Sequence, residues 1–306
     1  MGSITVEKKA TLTGQKDSIY ALSSSQYSNI FFSAGGDGIV VSWDLEDPQN
    51  GQVIAQVPNS VYALCYDLER DQLIIGHNFD GIHIVNWQQK KEVASLKFTD
   101  QAIFTLEVKG KDIIAGTGDG ELLVIDAQDL LIKNRIKKTE KSLRCLAINK
   151  NSNELAAGYS DNMIRLFDLN DYNIKHEWKA HDNSVFGLEY SPNDQVLIST
   201  SRDARFKAWD VKNNYKLIES VIGHMYTIND ISFSPDGKHF VTCSMDKTLK
   251  VWDAKELKLL KVIDKARHAG HGTSVNKVFW STYNNQVISC SDDRTISVWN
   301  LSFNNE

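Results

Sequence analysis

The sequence predicts an all-β ring made of seven copies of one four-stranded unit. Three observations predict it. A tight turn containing Asp recurs seven times, short strand-like runs fill the chain, and one strand is left over at the start while one is missing at the end. The composition fits a folded chain: 306 residues, 42% hydrophobic and 24% charged. Neither a disordered nor a membrane-spanning sequence reads this way. Length alone suggests about two domains of about 150 residues, but the repeat replaces that expectation with a single domain over 1–306.

The repeated stretches are "DGIVVSWD" at 37, "DGIHIVNW" at 80, "DGELLVID" at 119, "DNMIRLFD" at 161, "DARFKAWD" at 203, "DKTLKVWD" at 246 and "DRTISVWN" at 293. Successive Asp positions lie 43, 39, 42, 42, 43 and 47 residues apart. A near-constant interval of this size marks a repeat architecture.

In chain order, "SITVEKKATLTG" reads as a strand with no partner in the first unit. Each following unit carries four short runs, most plainly the sixth. There "TINDISFS" (227–234), "HFVTCS" (239–244), "TLKVWD" (248–253) and "KLLKVID" (258–264) are separated by "PDGK", "MDK" and "AKEL". The runs are rich in β-branched and aromatic residues and are broken by Pro, Gly, Asp and Asn, which is strand and hairpin patterning rather than helical periodicity. Four antiparallel strands in 40 to 45 residues describe a β-propeller blade. The turns "GGDG" and "GDGE" are tight hairpin turns rather than phosphate loops, because no helix follows them. The last unit stops after "TISVWNLSFNNE", its third strand.

The endings Trp43-Asp44, Trp209-Asp210 and Trp252-Asp253, with the pairs Gly223-His224 and Gly270-His271 and the near match Ala180-His181, resemble the WD-repeat β-propellers. The resemblance covers essentially the whole chain. It implies a seven-bladed propeller in which the N-terminal strand completes the last blade, leaving only short protected edges.

His181, Ser199, Asp203 and Trp209 could be mistaken for a catalytic triad with a neighbour. So could His224, Thr242, Asp246 and Trp252, and His271, Ser289, Asp293 and Trp299. A nucleophile needs one site with an oxyanion hole, not three equal copies. The resemblance implies buried structural tetrads, which would pin each turn to its strands. Blade 1 has Gln15 in place of His, with Ser33, Asp37 and Trp43. Blades 2 to 4 keep Asp80, Asp119 and Asp161 but lack the His, and are read with Gly76, Ala115 and Ala157 at the hydroxyl position. Blade 2 is read with its Trp shifted by one, in Asn86-Trp87. Blades 5 to 7 are therefore expected to be the more rigid part.

By the same resemblance, one position of each innermost strand faces the narrow channel mouth: Tyr20, Tyr62, Phe104, Arg144, Phe186, Asn229 and Asn276. The residue before each turn Asp lies on that face: Gly36, Phe79, Gly118, Ser160, Arg202, Met245 and Asp292. The expected partner site is Tyr20, Tyr62, Phe79, Phe104, Arg144, Phe186, Arg202 and Met245, since aromatic and Arg side chains form interface hot spots; the alternative is that the aromatics only plug the channel mouth. The loop "DKARHAGHGT" (264–273) is a further contact element on that face.

The expected function is a non-catalytic cytoplasmic scaffold that binds a protein or peptide within a larger complex. No cofactor, metal, membrane or small-molecule substrate is expected. The polar N-terminus lacks the apolar core of a secretory signal. Cys65, Cys145, Cys243 and Cys290 lack metal-ligand spacing and read as reduced thiols in strands. The alternative is RNA binding through the basic stretch 133–144 with Arg202 and Arg205, opposed by a net charge of −5. An enzyme needs acids and bases converging on one mouth. The next channel position offers only Asp230 and Lys277, expected as an ion pair.

Overall fold

Short β-rich runs between Asp-led turns can satisfy their backbone groups only by pairing with one another. A computed structural model, describing residues 4–303, shows how they do so. Strand β1 (Ile4–Leu12) leads. Blade 1 is β2 (Ile19–Ser24), β3 (Ile30–Gly35), β4 (Ile39–Asp44) and β5 (Gln52–Gln56). Blade 2 is β6 (Val61–Asp67), β7 (Gln72–His77), β8 (Gly81–Asn86) and β9 (Lys91–Lys97). Blade 3 is β10 (Ile103–Lys109), β11 (Asp112–Thr117), β12 (Glu121–Asp126) and β13 (Ile132–Lys137). Blade 4 is β14 (Leu143–Asn149), β15 (Glu154–Tyr159), β16 (Met163–Asp168) and β17 (Ile174–Lys179).

Blade 5 is β18 (Val185–Tyr190), β19 (Val196–Ser201), β20 (Arg205–Asp210) and β21 (Lys216–Ile222). Blade 6 is β22 (Ile228–Phe233), β23 (His239–Ser244), β24 (Leu249–Asp253) and β25 (Leu259–Ile263). Blade 7 is β26 (Val275–Trp280), β27 (Gln286–Ser291), β28 (Ile296–Phe303) and, as its outermost strand, β1. The expected closure is thus present: Ile4 faces Phe303 and Leu12 faces Ile296, antiparallel. The loop 264–273 contains one helical turn, α1 (Lys265–His268), capped by the Asp264 side chain on Arg267 N.

The recurring residues have local causes. In five turns the Asp carboxylate accepts the backbone N–H two residues on: Asp37 from Ile39, Asp161 from Met163, Asp203 from Arg205, Asp246 from Thr248 and Asp293 from Thr295, at 3.0–3.2 Å. The intervening residue takes positive φ, as at Asn162, Ala204, Lys247 and Arg294, a backbone held by the Asx turn. At Gly38 a Cβ would come within 2.1 Å of Val57 O, so glycine is required there. The Asp of each Trp-Asp ending opens the next turn, as Asp44 accepts from Glu46 N and Asp210 from Lys212 N.

The core lies between neighbouring blades. Trp299, Val241, Val251, Ile263 and Val278 pack together between blades 6 and 7. Phe206, Phe240 and Trp252 do so between blades 5 and 6. Each large apolar side chain so buried stabilises the ring by about 1.5–3 kcal/mol.

Blade 2 departs from the expected frame. His77 faces Val61 as Ser201 faces Val185. The hydroxyl position, two residues earlier, is therefore Ile75, not Gly76. Val85 faces Leu73 as Trp209 faces Leu197, so Trp87 is displaced by two residues, not one. The cause is the turn: Asp80 falls one residue later than its counterparts. Phe79 correspondingly stands where the others place Asp, and Asn78 is the true counterpart of Arg202.

Candidate partner interface

Blades 5, 6 and 7 each hold a hydrogen-bonded chain of four side chains. The Trp209 indole N–H donates to Ser199 Oγ at 2.8 Å, Ser199 Oγ meets His181 Nε2 at 2.8 Å, and His181 Nδ1 meets Asp203 Oδ2 at 2.9 Å. Blade 6 repeats this through Trp252, Thr242, His224 and Asp246 at 2.9, 2.8 and 2.9 Å. Blade 7 does so through Trp299, Ser289, His271 and Asp293 at 3.0, 2.9 and 3.1 Å. Every ring nitrogen is committed within the network, which is geometry for holding a turn. Burial lowers the pKa of His181 and His224, leaving neutral rings. Burial also raises that of Asp203, but the hydrogen bonds from His181 and from the Asp182 and Arg205 amides outweigh it and bring it to about 2. In blade 1, Gln15 Oε1 accepts from Ser33 Oγ at 2.8 Å while Lys16 N, not Gln15, serves Asp37.

At the channel mouth the structure gathers five of the expected residues into one run. Tyr20 and Tyr62 lie 4.9 Å apart between ring centres, and Tyr62 and Phe104 5.5 Å apart. The Arg144 guanidinium sits 4.0 Å from the Phe104 ring centre and 5.3 Å from that of Phe186. All five side chains are half-buried. Successive innermost strands β2, β6, β10, β14 and β18 place them side by side, one per blade. Arg144 Nε donates to Ser160 Oγ. Burial, with the nearby Arg202 guanidinium adding to it, lowers the Arg144 pKa. Among the described residues neither arginine pairs with a carboxylate.

The remaining mouth positions behave differently. Asn229 Nδ2 donates to Val275 O and Asn276 Nδ2 to Ile19 O, at 2.8 and 2.9 Å, stitching neighbouring strands. Phe79 and Met245 are 53% and 56% exposed, and neither stacks on the aromatic run. Met245 instead joins residues that the sequence reading passed over, Met225 and Tyr226, 79% and 59% exposed. Their signal was available: they follow the Gly223-His224 pair directly, in the loop whose Thr227 O accepts from Met245 N.

Below the mouth, Asp230 and Lys277 form the expected ion pair at 3.0 Å. Glu107 and Glu189, which were not singled out, line the same channel. Burial pushes Glu107 up to about 7, against Lys277 and Lys150. Burial pushes Glu189 up to about 8, against the hydrogen bond from Phe233 N. These acids lie well inside the ring and are not arranged around a nucleophile. At the opposite ends of the strands, a groove of about 660 Å³ opens between blades 5, 6 and 7, lined by Pro192, Phe233, His239, Leu260 and Phe303 among others.

Half of the basic side chains in 133–144 are ion-paired. Lys133 pairs with Asp112, Arg135 with Glu121, and Lys137 with both Asp119 and Glu140. The four cysteines are free, three of them buried. Among the described residues no helix is long and apolar enough to cross a membrane.

Comparison with known proteins agrees with this architecture. No curated protein sequence matches the chain. The crystal structure of the WD40 β-propeller domain of Doa1 superimposes with a TM-score of 0.84 over 97% of each chain, at 20% sequence identity. A family model described as WD domain, G-beta repeat, matches residues 6–44, 133–168, 172–210, 215–253 and 263–300. The stretch between the first two matches, 45–132, holds β5, all of blade 2 and the first three strands of blade 3. With well over half its length matched, this chain belongs to the WD-repeat family of β-propellers.

Proposed function

We propose that the protein is a non-catalytic scaffold of the cytoplasm that binds a protein or peptide partner at the narrow channel mouth, within a larger complex. The bound segment carries an aromatic or aliphatic anchor beside a carboxylate. One observation carries this reading: Tyr20, Tyr62, Phe104, Arg144 and Phe186 form a continuous half-buried run whose guanidinium has no carboxylate partner among the described residues. Rings packed in advance lose little conformational freedom on binding, and a desolvated guanidinium favours an incoming carboxylate. The asparagine stitches of blades 6 and 7 point the site to the side of blades 1 to 5. Ion pairs hold Lys133, Arg135 and Lys137, which lessens the charge that RNA binding would use.

The test is affinity capture from native cytosol, with cross-linking, of wild type beside a Tyr62→Ala, Phe104→Ala, Arg144→Glu variant of unchanged melting behaviour. A protein recovered by wild type and lost from the variant, cross-linked near the mouth, supports the reading. Undiminished recovery by the variant removes this surface from consideration.

A further inference from the structure

Blade 2 lacks the His–Asp bond that pins the equivalent turn in blades 5 to 7. Three other donors converge there instead. His77 ends β7, Asp80 lies in the turn, and His83 sits on β8. His77 Nδ1 is 3.0 Å from His83 Nε2 and 3.5 Å from Asp80 Oδ2. All three donor atoms lie within 4.8 Å of one another. Tetrahedral donors about 2.0–2.1 Å from zinc stand about 3.3 Å apart, so this triangle is close to a ready-made facet.

We propose that His77, Asp80 and His83 bind a divalent transition-metal ion, best suited to Zn²⁺, with a fourth position left to solvent. Two imidazoles and one carboxylate select zinc and its late first-row neighbours over magnesium or calcium. The surrounding groups fit that role. Glu92 Oε2 lies 3.1 Å from His83 Nδ1, on the side of the ring away from His77. A carboxylate there holds the tautomer that leaves Nε2 free as a ligand. Lys97 Nζ holds the other oxygen of Asp80 at 3.2 Å, leaving Oδ2 toward the histidines. Behind His77, the Asn59 amide is 3.4 Å from Nε2. That amide serves either tautomer by rotating its oxygen or its nitrogen toward the ring. His77 is almost wholly buried and His83 partly so, while Asp80 remains open to solvent, so an ion has an entry path.

The ion would replace the missing tetrad by tying the turn between β7 and β8 to the sheet. That turn presents Phe79, a non-glycine residue at φ 68°. The site stands independently of the partner reading and is tested without a partner.

The experiment is titration of chelator-treated full-length protein with Zn²⁺ against a chromophoric competitor, and with Co²⁺ followed by visible absorption. One equivalent of Zn²⁺ is expected, with intense cobalt bands of tetrahedral type. His83→Ala and Asp80→Asn should each abolish that equivalent. Glu92→Gln should weaken it about 10- to 100-fold, and His268→Ala, in the 264–273 loop, should leave it unchanged. His83 and Asp80 are both solvent-reached, so either variant is readable if the other fails to fold. Absence of stoichiometric binding overturns the proposal. So does binding that survives His83→Ala or Asp80→Asn, or that is lost with His268→Ala.

Discussion

Ser199 shows what a single hydroxyl does in this chain. It accepts from the Trp209 indole and is shared with His181 Nε2, both buried. Ser199→Ala strands both nitrogens, at about 1–3 kcal/mol for each group left unpaired. Denaturant unfolding should register that loss. Ser297 is also buried, but its hydroxyl has no partner among the described residues. Ser297→Ala should therefore be neutral or stabilising in the same measurement. The histidines add a pH dependence. Burial depresses the pKa of His181, so the unfolded chain takes up this proton first as pH falls below about 6.5. The stability tied to the neutral ring is complete above that pH and declines below it. His181→Gln, which copies Gln15 of blade 1, lacks this titration. Its deficit against wild type should narrow between pH 7 and pH 5, and a constant deficit would show that His181 does not titrate with folding. The tetrad residues could be read from the resemblance to WD-repeat propellers, residue by residue. His77 could not, because it approaches His83 across the hairpin through a diagonal side-chain contact, His83 facing Ile75 and His77 facing Gly81.

At the scale of the element, β1 carries the most consequence. It covers the full edge of β28, pairing from Ile4 with Phe303 to Leu12 with Ile296. Removing residues 1–12 would leave β28 as an exposed edge beside the Trp299 core. An unprotected edge recruits other strands, so the truncated chain should self-associate at micromolar concentration in analytical ultracentrifugation. A truncated chain that stays monomeric and keeps the wild-type melting temperature would show the closure to be dispensable. Blades differ too. Hydrogen exchange should be slower in the hairpin turns of blades 5 to 7, where three tetrads hold them, than in those of metal-free blades 2 to 4. Strand positions were readable from the sequence almost to the residue, since the sixth unit's runs match β22 to β25 within one or two positions. Blade 2 was not, because aligning on Asp80 hides a shift that only the pairing of Leu73 with Val85 reveals.

At the scale of the whole ring, the channel wall is an environment that no single blade contains. Glu189 of blade 5 faces Asp230 of blade 6, Lys277 of blade 7 and Glu107 of blade 3. Its pKa is raised, so it favours the folded state at low pH, and that contribution is lost as pH rises through about 8. Glu189→Gln retains an oxygen to accept from Phe233 N but cannot ionise. The variant should gain stability on wild type between pH 5 and pH 9, read as diverging melting temperatures. Parallel curves would mean that solvent in the channel already supports the charge.

The sequence by itself determined the all-β class, the seven units, their turns, the tetrads and the closing strand. The turns and tetrads depend on contacts within one repeat, which recur at fixed spacing, whereas the closing strand pairs the two ends of the chain once. Tertiary structure decided the rest. It joined Tyr20, Tyr62, Phe104, Arg144 and Phe186 into one surface, tied Asn229 and Asn276 away from it, and paired Lys133, Arg135 and Lys137 with acids. It also drew Glu107 and Glu189 into the channel and set His77 against His83. The mouth surface, the asparagine ties and the channel acids depend on distances between strands of different blades, and the ion pairs of blade 3 and the His77–His83 contact on side-chain placement within one blade. Ring geometry sets those distances, and periodicity along the chain does not encode them.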